Sequence, residues 1–133
     1  MAYLKVLIHA VWVTKRRYPF LNKGIQTALI EHIRNNAKSK DIYVECLNGY
    51  KDHLHCLFWL NANMSLSTTM NLLKGESAFW INQQKLSPIK FEWGKKYYAG
   101  SVDPNAIKKL RHYINNQESH HNPSLPAGDS PLP

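Results

Sequence analysis

Two strand-like runs lie back to back in the middle of the chain, and they dictate most of what it can fold into. Residues 41–48 (DIYVECLN) alternate as a half-buried strand does, and residues 53–60 (HLHCLFWL) form a second extended run. Only Gly49, Tyr50, Lys51 and Asp52 separate them, which reads as a short turn joining an antiparallel hairpin. Helical patterns flank that hairpin. Before it, Ile25, Ala28, Leu29 and Ile33, with Ala37 further on, recur at helical spacing and predict a helix over about 22–39. After it, a helix is expected from Ser65 to about Gln83, with Leu66, Met70, Leu73, Phe79 and Trp80 on its apolar side. Gly75 within it is unfavourable by about 1 kcal/mol relative to Ala and marks a bend or a close approach.

Two further strands are expected outside these helices, over 3–13 (YLKVLIHAVWV) and 95–102 (KKYYAGSV). Asp103–Pro104 then joins an N-cap residue to a proline suited to the first helical position. The helix it opens is expected to reach about His121, where Asn122–Pro123 stops it. The resulting fold class is α+β: a ferredoxin-like βαββαβ antiparallel sheet with an added C-terminal helix. At 133 residues the chain fits one domain, assigned to 1–121. The Pro-, Gly- and Ser-containing remainder, 122–133, reads as a disordered tail.

Charge narrows the partners. Seventeen Lys and Arg against nine Asp and Glu give a formal charge of +8, an excess that draws polyanions, of which nucleic acid is the commonest. Simple solubility is the bland alternative. Cys46 and Cys56 fit neither a disulfide framework nor a zinc motif and read as buried free thiols, consistent with a cytoplasmic protein. No apolar run is long enough for a transmembrane helix, and the N-terminal run lacks the marks of a signal peptide, so no membrane partner is expected.

Within the second hairpin strand, His53 and His55 stand two apart and so face the same way, opposite to Leu54, Cys56 and Phe58. Paired imidazoles suit a metal ion, though two ligands are incomplete. Two half-exposed histidines on a sheet face explain the pattern equally well. On the terminal helix, Ile107, Leu110 and Ile114 form the expected buried stripe, and Tyr113 and Gln117 lie one turn apart on a common face. Beside a metal, a tyrosine hydroxyl becomes a candidate nucleophile and a glutamine carbonyl a candidate ligand for a hard cation. Otherwise the two are a rim residue and a solvated amide.

Several segments together carry a resemblance. AVWVTKRRYPFL, DHLHCLFWL, LLKGESAFW, WGKKYYAGSV and YINNQESHH, in that order, resemble the small single-tyrosine transposases of the HUH nuclease superfamily, which act on single-stranded DNA. His53-Leu54-His55 matches the His–hydrophobic–His motif behind that name, and the likeness extends to about His121. It implies Tyr113 as nucleophile, His53, His55 and Gln117 as metal ligands, and a divalent Mg or Mn as cofactor. It implies cleavage and rejoining of single-stranded DNA beside a hairpin through a 5′-phosphotyrosine, with no small-molecule substrate. It also implies a homodimer with composite active sites.

Lys15, Arg16, Arg17, Lys108, Lys109 and Arg111 are candidate phosphate contacts. Trp12, Trp59, Trp93, Tyr97 and Tyr98 are candidate stacking surfaces, most of them expected in the core. Two other readings stay open: a non-catalytic single-stranded nucleic-acid-binding module of the same fold, and a domesticated relative acting on repeated extragenic palindromes.

Overall fold

The computed structural model describes residues 4–116. The elements follow in the expected order: β1 (Leu7–Val13), α1 (Lys23–Ser39), β2 (Tyr43–Tyr50), β3 (His53–Trp59), α2 (Leu66–Gln83), β4 (Tyr98–Val102) and α3 (Ile107–Asn115). The four strands make one antiparallel sheet in the order β2-β3-β1-β4. This is the α+β, ferredoxin-like plan with an added helix. Among the described residues no helix is long and apolar enough to cross a membrane. Gln117, the anticipated extension of the helix through His120 and His121, and the tail 122–133 lie outside the described residues.

Strand parity divides the sheet into two faces. Ile8, Ala10, Trp12, Leu54, Cys56 and Phe58 point to one side, where Leu29 and Ile33 of α1 and Met70, Leu73 and Ile81 of α2 close the main core. Leu7 and Leu57 point to the other side and form a much smaller cluster with Cys46 of β2 and Ile114 of α3. α1 and α2 each begin on a polar cap that satisfies an otherwise orphaned amide. Asn22 Oδ1 accepts from the Ile25 amide at 3.0 Å, and Ser65 Oγ accepts from the Thr68 amide at 3.0 Å. Asp103 Oδ1 accepts from the Asn105 amide at 2.9 Å, opening a short 3-10 turn that leads into α3.

Boundaries depart from expectation in informative places. The hairpin turn is only Lys51–Asp52, because Gly49 and Tyr50 continue the ladder opposite Leu54 and His53. Gly49 is there for close approach: a Cβ would collide with the His53 carbonyl oxygen and the Leu54 side chain. β1 begins at Leu7 and β4 at Tyr98, both later than their sequence patterns suggest. α3 runs to Asn115 and Asn116 leaves helical geometry (φ −113°, ψ 36°). Gly75 does not mark a close approach, since nothing lies within 4 Å of its missing side chain. Phe79 is 64% exposed, because the buried stripe of α2 runs through Met70, Leu73, Ser77 and Ile81 and leaves position 79 rotated outward.

Candidate active site

The face opposite the main core carries the polar chemistry. His53 and His55 project from β3 beside Leu57, and their ring centroids are 5.2 Å apart. Both are buried, at 0% and 4% exposure, so the picture of two half-exposed surface histidines does not hold. Burial of two imidazoles demands partners for their polar nitrogens, and each Nδ1 has one. Nδ1 of His53 lies 2.8 Å from Asp52 Oδ1. Burial pushes the Asp52 carboxyl up, but hydrogen bonds from His53 and from the Arg17 guanidinium outweigh it and bring it down to about 2. An ionised carboxylate only accepts, so His53 Nδ1 carries the proton of this bond, and in the neutral ring Nε2 holds the lone pair.

Nδ1 of His55 lies 3.0 Å from Nε2 of His9 on β1. Val11 is the direct cross-strand partner of His55, and Leu57 that of His9, so the two histidines meet diagonally on one face. Burial lowers the pKa of His9, which favours its neutral form. Tyr98 on the edge strand β4 sits edge-on to His9, 6.3 Å between centroids, and is 47% exposed.

Tyr113 completes the cluster. Its ring meets that of His55 edge to face, with centroids 5.9 Å apart and planes at 86°. The helix that bears it is held by few but specific contacts. Ile114, fully buried, fills the small cluster on Leu7, Cys46 and Leu57. Arg111 Nη2 donates to Glu45 Oε2 at 2.6 Å, while Trp59 Nε1 donates to the other oxygen of that carboxylate at 3.0 Å. Glu45 is the extra residue of a β-bulge between Val44 and Cys46 in β2. Cys46 Sγ donates to Asn115 Oδ1, and Asn48 Nδ2 to the Asn115 carbonyl, each at 3.2 Å. Both cysteines are free and buried, and burial raises both thiol pKa values, so they are poor nucleophiles.

The basic candidates fare differently. Lys108 and Lys109 are exposed on α3. Arg111 pairs with Glu45 at 2.6 Å, its side chain 43% exposed. Lys15 pairs with Glu92 at 3.2 Å and Arg17 with Asp52 at 3.0 Å. Arg16 is exposed, and both it and Arg17 adopt φ 56°, an uncommon left-handed backbone for residues with a side chain. Among the aromatic candidates, Trp12 and Trp93 are core, Trp59 is tied to Glu45, and Tyr97 lies under the Lys74 ammonium. Tyr98 is the exposed one on the site face.

Sequence reasoning did not single out His9 or assign a role to Asp52. The signal for His9 was a histidine within an apolar strand; the missing information was the register that sets β1 beside β3.

A divalent cation fits the donors that are present. Two imidazoles, each with Nδ1 engaged, would in their neutral form offer their Nε2 lone pairs, which is the usual arrangement of metal-binding histidines. Among the described residues no group of three or more His, Cys, Asp or Glu is arranged to hold a metal.

Fold and site together define a class: an antiparallel α+β protein whose sheet gathers buried imidazoles beneath a tyrosine on its last helix. Comparison with known proteins gives the family within that class. A family model described as "Transposase IS200 like" matches residues 2–117. The chain belongs to this IS200-like transposase family, whose activity is enzymatic cleavage of DNA. Two relatives, the transposases for insertion sequence element IS200 of Salmonella typhimurium (strain LT2) and Salmonella typhi, are each 25% identical. Each alignment covers 93% of this chain and 87% of theirs.

Solved structures share the fold. A presumptive transposase from Deinococcus radiodurans R1 superposes with a TM-score of 0.69 at 21% identity, over 87% of this chain and 93% of that one. A REP-associated tyrosine transposase bound to a REP hairpin superposes with a TM-score of 0.59 at 15% identity, over 86% of this chain and 67% of that one.

Proposed function

We propose that this transposase cleaves and rejoins single-stranded DNA beside a hairpin, with Tyr113 as the nucleophile and His53, His55 and Gln117 as ligands for Mg or Mn. The observation that carries the reading is the edge-to-face contact of Tyr113 with His55, on the sheet face that also holds His53. When bound, the cation polarises the scissile phosphodiester and offsets negative charge that builds on its oxygens.

The protein's own groups do the rest. The Tyr113 hydroxyl gives up its proton and attacks phosphorus. A P–Oη bond forms as the P–O3′ bond breaks, and the departing 3′ oxygen takes up a proton. The product is a 5′-phosphotyrosine with a free 3′-hydroxyl. The phosphodiester energy is retained in that link, so a 3′-hydroxyl can reverse the step and join strands without ATP. Asp52 keeps His53 in the tautomer with Nε2 available. The exposed Lys108 and Lys109, with Arg16, lend positive charge for the DNA backbone, and Tyr98 offers a stacking surface at the edge of the site. A hairpin substrate draws support from the hairpin-bound structure of the same fold. A homodimer belongs to this reading, since exchange of α3 between two copies would rebuild the same phenol–imidazole contact across subunits.

The test is incubation with hairpin-ended single-stranded DNA and Mg or Mn. A covalent protein–DNA adduct is expected in the wild type and none in Tyr113→Phe. Adduct formation by Tyr113→Phe overturns the assignment. Binding without any cleavage in the wild type would favour a non-catalytic module.

A further inference from the structure

The geometry points to His9 as a positioning residue that fixes which nitrogen of His55 faces the reaction. This rests on the proposed role of His55 as a metal ligand. The planes of the two rings differ by 15°, and their centroids are 5.2 Å apart. With nitrogens 3.0 Å apart, that is close to the longest separation two five-membered rings allow. The rings therefore meet edge to edge, with the bond lying nearly in both planes, as a well-directed N–H···N hydrogen bond requires.

One of the two nitrogens must donate and the other accept. If His55 donates from Nδ1, its Nε2 holds the lone pair and can ligate a cation. If His9 donates, the neutral His55 carries its proton on Nε2 and that nitrogen cannot ligate. The first arrangement repeats on β3 what Asp52 does for His53, with a neutral imidazole replacing a carboxylate as the acceptor. The two ligands are thus oriented by different chemistry. His53 is braced by an anion from the adjacent residue, and His55 by an uncharged base from the neighbouring strand. Such outer partners of metal-bound histidines orient the ring and raise its basicity.

The experiment compares full-length wild type with His9→Phe, which removes the acceptor, and His9→Gln, whose amide oxygen can replace it. His9→Ala substitutes for the phenylalanine variant if the larger ring disturbs the fold. Long-range proton–nitrogen NMR of the metal-free protein reads the His55 tautomer directly, and a manganese titration followed by EPR reads affinity. The expected wild-type result is a proton on Nδ1 of His55. His9→Phe should move it toward Nε2 and weaken manganese binding by about 10- to 100-fold. His9→Gln should keep the Nδ1 proton and most of the affinity.

A wild-type proton on Nε2 of His55 would overturn the inference. So would an unchanged tautomer in His9→Phe, or direct coordination of manganese by Nδ1. If the wild type binds no manganese, the metal reading of the site fails, while the tautomer spectra still decide the His9–His55 bond on their own.

Discussion

One face of the sheet is covered by helices of 17 and 18 residues, and the other by a helix of nine. The first face presents Trp12, Leu54 and Phe58 to a deep apolar core; the second presents His9, His53 and His55. The same β3 strand supplies both, alternating side by side. Imidazoles and an ionised carboxylate are costly to bury, and the site face has little apolar area with which to offset them. The large core on the other side holds the strands in place, so the register that brings His9 to His55 is not left to the site itself. Stability and chemistry are separated by one residue of strand parity.

Paired substitutions in neighbouring elements should break or sharpen that contrast. Phe58→Ala should cost about 3–5 kcal/mol of unfolding free energy, measured by urea denaturation. Tyr113→Phe should remove the covalent adduct completely and change stability by less than about 1 kcal/mol. A large loss of stability in Tyr113→Phe would mean that α3 is part of the structural core after all.

Acid should act through Asp52. Its folded pKa, about 2, is depressed from 3.8, so its contribution is present above 3.8 and is lost as pH falls toward 2. The size is about 2 kcal/mol. Thermal melts of wild type across that window should show the loss, and Asp52→Asn should flatten it.

Glu45→Gln removes the charge from the Arg111 contact. Arg111 is 43% exposed, so the global cost should be below about 1 kcal/mol. Hydrogen exchange should nevertheless quicken in α3 while α1 and α2 stay protected. The smallest effect is expected for Lys109→Ala. Stability should change by less than about 0.5 kcal/mol, while the salt dependence of DNA binding loses about one unit of slope if that ammonium meets a phosphate.

The sequence announced the element order and the main core, because both follow from short-range periodicity. Helix stripes through Ile25, Leu29 and Ile33, and through Met70 and Leu73, show at intervals of three and four, as does the Ile107, Leu110, Ile114 stripe on α3. Phe79 misled because hydrophobicity alone does not say which residues of a crowded helix turn inward. The site was half legible. His53 and His55 are two residues apart in one strand, so their common face was visible. His9 lies 46 residues from His55, and only the β1–β3 register brings them together. The pairing of Arg111 with Glu45, 66 residues away, likewise depends on the β-bulge in β2. Each such pairing joins distant segments, and no local pattern encodes it.

Gly49 sets a limit on how this family member can drift in sequence. It takes no part in the chemistry and has no side chain to conserve. Yet any replacement would wedge β2 away from β3 at the backbone of His53 itself. A position beside His53 that leaves no room for a side chain is therefore one that a search for reactive groups would pass over.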